Sequence, residues 1–320
     1  MMRIFLIVVA ALMGSVPAAA QDWPSKPVRF IVPFPPGGSV DPLARLLGAK
    51  MGDPLKTQFI VENRPGAGGS IGTAMAAKAP ADGYTFLVVF DSHGVNQALI
   101  PNLSYDTAKD FAPVMLVGTA PYAIATQAAK PWKSFAEVAA ASKAKPESVS
   151  IGSIGNGTLG HLVLVQAQQM GGFRITHVPF AGGGPMNQNI LGGQIDMGAG
   201  SVALLSPQVK SGKMRAIATT GEKRASTMPD VPTLIEQGFP GLTAYAWWGI
   251  YAPAGTPKPI IDRFHAELAK VLALPDVRKT LAEGLGMDLA VSSPEELQKW
   301  TLEQLARWGR IVKDNGIKTD

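Results

Sequence analysis

Several turns in this sequence carry residues suited to holding an anion without a charged side chain. The sharpest is Phe34-Pro35-Pro36-Gly37-Gly38-Ser39-Val40-Asp41. Prolines have no N–H, so the free donors concentrate at Gly37, Gly38, Ser39 and Val40, and glycine lets backbone approach a ligand closely. Further along, Ser153, Asn156 and Thr158 supply side-chain donors, Gly155 and Gly157 supply backbone N–H groups, and His161 follows one turn into the next helix. Ala181 and Gly182 end another apolar run, as does Ser201, while Ser92 and His93 hold the equivalent place nearer the N-terminus. In each case a strand-like run stops, a turn follows, and a helix-forming stretch begins. In open α/β sheets such turns lie at the carboxyl ends of strands, where ligands bind. Each presents unpaired N–H groups and the positive end of a helix, which suit an anion. None contains arginine, so a carboxylate there is expected on N–H groups, hydroxyls and water. Ordinary capping would explain Asp41 and Pro42, but it does not need two prolines and two glycines.

Two catalytic patterns compete with binding. Gly155-x-Gly157-x-x-Gly160 meets the dinucleotide fingerprint, which also wants an acidic residue about 20 positions later for the ribose. The following strand ends Val178-Pro179-Phe180-Ala181, with no acid. Gly68-Gly69-Ser70-Ile71-Gly72 matches the serine nucleophile elbow, which requires the serine directly after a strand. Here Asn63 to Gly69 intervenes, Ser70 reads as a helix N-cap, and the partner candidate His265 lies inside an amphipathic stretch. A secreted serine hydrolase is therefore the alternative to a binding protein, not the leading reading. No His/Asp/Glu cluster has metal-ligand spacing, and no cofactor is expected.

The elements that would position these turns alternate between β-branched runs and helices, the pattern of parallel sheets covered by helices. Strands are expected at 28–32, 58–62 and 84–90, then at 114–117 and 122–126. Asp41 is expected as N-cap of a helix ending near Lys50, with Pro42 at its first position. A second block repeats the plan: a capping box at Ser134 and Glu137, strands at 149–153, 174–180, 194–198 and 214–220, and helices between them. An aromatic strand at 243–251 then precedes trailing helices, the last capped by Ser293 with Pro294 and Glu296. Trailing helices without a further sheet suggest a C-terminus packed on a sheet already built. The expected domains are a discontinuous first lobe, 21–123 with 245–320, around an inserted second lobe, 124–244. Two consecutive domains are the alternative.

Residues 1–20 read as a signal peptide: Arg3, an apolar run from Ile4 to Met13, and Pro17-Ala18-Ala19-Ala20 before Gln21. No later segment reaches the roughly 18 apolar residues of a membrane span. The sequence has no cysteine, which excludes disulfides, thiolate metal sites and a cysteine nucleophile. An export signal without cysteines fits a bacterial periplasm, since about 300 residues can be held by core packing alone. The net charge of +5 is modest and its basic residues are scattered without interleaved aromatics, so nucleic acid is not an expected partner.

Several ordered motifs carry a family resemblance. They are Trp23-Pro24 to Pro27, Pro33 to Gly38, Glu62-Asn63-Arg64-Pro65-Gly66-Ala67-Gly68-Gly69 and Ala79 to Thr85. Lys109 to Val114, Leu191 to Asp196 and Ala252 to Pro257 extend the match over nearly the whole chain after the signal. The chain resembles the tripartite tricarboxylate transporter substrate-binding proteins, also called the Bug or TctC-like family. The resemblance implies a periplasmic α/β protein of the two-lobed, type II Venus-flytrap fold, each lobe a mostly parallel sheet covered by helices. It implies a monomer that captures a small carboxylate, a di- or tricarboxylate or an aromatic acid, and delivers it to a two-component membrane permease. It also implies that Phe34, Pro36, Gly37, Gly38, Ser39, Asp41, Ser92 and His93 face the ligand from one lobe. The Gly155 to Thr158 and Phe180 to Gly182 loops face it from the other. The sequence departs from the family near Gln188 and Asn189, often acidic there, and at Gly198-Ala199-Gly200-Ser201, where a Phe-Asp ending is frequent. Those changes remove bulk and charge beside the expected pocket.

Overall fold

The computed structural model describes residues 23–317, so the signal peptide expected at 1–20 lies outside the described residues. The first half runs β1 (Val28–Val32), α1 (Val40–Leu55), β2 (Phe59–Asn63), a 3-10 turn (Ala67–Gly69), α2 (Ser70–Ala77) and β3 (Thr85–Val89). A second 3-10 turn (Asp91–Gly94), α3 (Asn96–Leu99) and the long β4 (Phe111–Gln127) follow. Next come α4 (Phe135–Ala144), β5 (Ser150–Ser153), α5 (Leu159–Gly171), β6 (Thr176–Pro179), α6 (Gly183–Leu191), β7 (Met197–Ser201), α7 (Val202–Lys210) and β8 (Met214–Thr219). The chain ends with β9 (Tyr245–Pro253), α8 (Lys258–Ala273), α9 (Pro275–Arg278), β10 (Asp288–Leu289) and α10 (Pro294–Asp314).

The strands pair in the order β2-β1-β3-β9-β4-β7-β5-β6, with β8 and β10 also on β4. Each end of this path is parallel: β1 with β2 and β3, and β5 with β6 and β7. β4 and β9 run antiparallel between them. This is a two-lobed α/β fold with a parallel sheet in each lobe. The apolar run of β1 has neighbours on both edges, and Phe30, Ile31 and Val32 are fully buried, as a central parallel strand requires. The amphipathic α8 sets Ile261, Phe264, Leu268 and Leu272 inward at helical spacing. Its Phe264 ring stacks on Phe86 at 4.0 Å, and burying one such side chain contributes about 1.5–3 kcal/mol.

β4 differs from expectation. Its 17 residues form one strand where two, at 114–117 and 122–126, were expected. Pro121 is tolerated because it stands where the strand changes partners. Phe111 to Pro121 pairs with β9, and Tyr122 onward pairs with β7 and β8. Proline cannot donate to a ladder and survives at such irregular positions. Beside it, Thr220 clasps both connecting segments. Tyr122 N–H donates to Thr220 Oγ1 at 2.8 Å, and that hydroxyl donates to Ala244 C=O at 2.5 Å.

Other boundaries shift by their own chemistry. Ser39, not Asp41, takes the N-cap position of α1, and the helix continues through Pro54 to Leu55, past Lys50. Ser134 accepts from Glu137 N–H as expected, but the Glu137 carboxylate accepts from Lys133 N–H, so the box is half formed. The box at Ser293 and Glu296 is complete. The two residues of β10 add a strand after β9 where only helices were expected.

Candidate binding site

The turns after β1, β6 and β7 meet between the lobes. They enclose an inner chamber of about 20 Å³ lined by Gly38, Ser39, Val40, Gly183, Ser201 and Leu204, with Phe34, Phe90 and Ile154 as its apolar walls. Such a space holds about one water. Three helices begin at this chamber: α1 at Val40, α6 at Gly183 and α7 at Val202. Each helix start carries roughly half a positive charge and unpaired N–H groups. Ser39 Oγ makes no capping bond to its own helix, whereas Ser201 Oγ caps α7 by accepting from Leu204 N–H at 3.2 Å. An anion placed here would meet converging donors and no opposing negative side chain.

The turns are also in contact with each other. A methyl carbon on Gly182 would lie 2.6 Å from Pro35 Cγ, and one on Gly184 would lie 3.0 Å from Pro36 C=O. Glycine at both positions lets the lobes approach this closely. Beyond the contact an outer chamber of about 600 Å³ opens. It is lined by the 66–69 turn, Asn96, Leu99, Ile100 and Pro101 from one side and by Gly155, Asn156, Phe180 and Ala181 from the other. Phe34 and Ile154 line both chambers.

The structure therefore brings Phe34, Gly38, Ser39, Gly155, Asn156, Ala181 and Ser201 to the cleft, with Pro36, Gly37 and Gly182 at its lip. Other expected residues lie elsewhere. The Asp41 carboxylate accepts from Arg45 Nε at 3.1 Å and from Asn63 Nδ2 at 3.0 Å, so it fixes the turn. Ser153 Oγ donates to Gly155 C=O and meets His177 Nε2 at 2.8 Å, and Thr158 Oγ1 donates to the same carbonyl. These hydroxyls shape the glycine loop from behind.

His161 was expected to donate to a carboxylate; instead its Nδ1 accepts the Gly157 N–H at 3.0 Å, which takes that amide out of the donor set as well. Its ring stacks on His177 at 4.0 Å. Burial, and secondarily the neighbouring His161, push His177 down to about 4.

Ser92 and His93 lie apart from both chambers, and both are buried. His93 sits in an aromatic nest, with ring centroids 4.9 Å from Tyr251 and 5.2 Å from Phe111. Neither ring nitrogen has a hydrogen-bond partner, and burial pushes the group down to about 3. The neighbouring Asp91 accepts from Tyr122 Oη at 2.7 Å and is pushed well above the usual carboxylate range by burial.

Sequence reasoning missed Ile154, Gly183 and Leu204 in the inner chamber, and the 66–69 turn with Asn96, Leu99, Ile100 and Pro101 in the outer one. The 66–69 turn follows a strand end like the others, a signal that could have placed it. Leu99 to Pro101 offered none. Neither catalytic pattern assembles. His265 Nε2 is engaged at 2.9 Å with the Ser292 carbonyl. Gly160 packs against Tyr122 and the Ala199 carbonyl.

The description "Tripartite tricarboxylate transporter family receptor" belongs to a protein family whose profile matches residues 43–317. Protein BugT of Bordetella pertussis is 33% identical over 304 residues, 94% of this chain and 93% of BugT. Among solved structures, one described as a periplasmic transporter is 37% identical with a TM-score of 0.89, covering 93% of this chain and all of that one. Rhodopseudomonas palustris Rpa4515 with adipate is 30% identical at TM-score 0.88, covering 92% of this chain and 99% of its own. MatC of the same organism, with bound malate, is 32% identical at TM-score 0.85, covering 91% and 100%. Two of these structures hold a carboxylate, adipate in Rpa4515 and malate in MatC.

Proposed function

The chain belongs to the tripartite tricarboxylate transporter receptor family, and from that premise we propose that it captures a small carboxylate between its lobes and presents it to a membrane permease. One observation carries this reading: three helix N-termini, those of α1, α6 and α7, converge on one chamber that no charged side chain lines. One carboxylate oxygen takes the place of a water there, within reach of the amides of Gly38, Ser39, Val40 and Gly183 and of the Ser39 and Ser201 hydroxyls. Excluding water as the lobes meet strengthens each of these contacts. The adipate and malate bound by two neighbours support the same ligand class.

In this proposal the first lobe comprises 21–123 and 245–320 and the second 124–244, with closure about the segments beside Thr220. The protein works in the periplasm as a monomer, residues 1–20 direct export, and its partner is a two-component permease. Thermal unfolding across a carboxylate panel tests the capture step. A ligand of the folded state raises the melting temperature by linkage, whereas a flat response to every acid removes the reading.

A further inference from the structure

The two chambers differ in chemistry, and the difference bears on which carboxylate fits. The inner chamber has polar donors and almost no volume. The outer chamber has the volume, within the roughly 300–1,000 Å³ of clefts that enclose whole organic ligands, and its side-chain walls are mostly apolar, Phe34, Leu99, Ile100, Pro101, Ile154 and Phe180, with Asn96, Asn156 and glycine backbone between them. No Arg, Lys or His lines it. Several polar groups around it are already engaged. Gly69 N–H donates to Gly66 C=O, Gly155 N–H to Ser153 Oγ, and Asn96 Nδ2 to Gly68 C=O.

We propose that the ligand is a monocarboxylate with a bulky aromatic or alicyclic body, its acid group in the inner chamber and its body in the outer one. This rests on the carboxylate-capture reading and narrows it. A second carboxylate would stand mostly among apolar walls, away from the three converging helix starts that receive the first, and burying a charge without comparable donors is costly. A short diacid would also leave the apolar walls facing water. A ring removes that surface, with stabilisation proportional to the apolar area covered. Phe34 and Ile154, shared by both chambers, mark where the acid group joins the body.

Titration calorimetry with benzoate, phenylacetate, cyclohexanecarboxylate, malate, adipate and citrate tests the assignment. The ring monocarboxylates are expected to bind at least about tenfold tighter than the di- and tricarboxylates, the order of discrimination that apolar contacts provide. Ile100→Ser, at a partly exposed position packed on the core, is expected to weaken them about tenfold and malate by less, with the melting temperature of the empty variant measured alongside to separate a folding loss from a binding loss. Equal or tighter binding of malate, adipate or citrate overturns the inference but leaves carboxylate capture standing. Equal binding of benzyl alcohol and benzoate overturns capture through the acid group. No binding by any acid removes both.

Discussion

Gly37 and Gly184 face each other across the cleft at contact distance: a methyl carbon on Gly37 would lie 3.5 Å from Gly184 Cα. The reverse change is tighter, because a methyl on Gly184 would lie 3.0 Å from the Pro36 carbonyl oxygen. Lobe contact is thus a property of two opposed glycines as much as of any ligand.

Gly184→Ala separates closure from folding. Alanine suits the first turn of α6 better than glycine by helix propensity, so the empty protein is expected to keep or raise its melting temperature. The closed form must accommodate the methyl group, at a cost of about 1–3 kcal/mol. Ligand affinity should fall accordingly, measured by calorimetry. An unchanged affinity means that binding does not require the turns to touch.

Ser39 and Ser201 share a chamber but have different work. Ser39→Ala is expected to weaken carboxylate binding by about 0.5–3 kcal/mol, the range for hydrogen bonds to neutral and charged partners, with little effect on the empty protein. Ser201→Ala removes a helix cap and should cost about 0.5–2 kcal/mol of stability as well. Chemical denaturation beside calorimetry distinguishes them. Equal stability losses in both variants would contradict the assignment.

His93 makes the fold acid-sensitive. Its pKa falls from the ordinary 6.5 to about 3 in the folded state, so the unfolded chain binds the extra proton between those values. The contribution is complete above pH 6.5 and is lost as the pH falls toward 3. His93→Phe, in a nest that already holds Phe111 and Tyr251, should lose about 2–3 kcal/mol less than the parent between pH 7 and 4.5, at about 1.4 kcal/mol per pH unit. Parallel pH profiles of the two proteins would rule this out.

Asp91 acts with the opposite sign. Burial raises its pKa, so the folded state holds the proton more tightly, and its contribution is lost as the pH rises above the ordinary carboxyl value of 3.8. Asp91→Asn keeps an acceptor for Tyr122 Oη and removes the titration. The variant should gain in melting temperature relative to the parent between pH 3.5 and 7.5. A difference that stays flat or shrinks over that range counts against a buried, proton-retaining carboxyl.

The turns that meet at the cleft were legible because their chemistry is local: proline followed by glycine at a strand end announces free amides whatever the tertiary context. The lobed α/β class was legible from alternation for the same reason. The path of β4 was not, since a proline that breaks a uniform ladder is harmless where the strand changes partners. His93 misled because its position after β3 matched the other turns, while its burial depends on Phe111, Trp247 and Tyr251, which come from distant segments. Leu99 to Pro101 carry no motif and enter the outer chamber only through the packing of α3.

The single hydroxyl that ties Tyr122 to Ala244 has a mechanical consequence. Two separate tethers would let the halves twist, shear and rock. Tethers pinned together at one point behave like the barrel of a door, leaving a swing as the soft motion. In the proposed capture mechanism, a swing that cannot wander would give the same outer contour each time the cleft shuts.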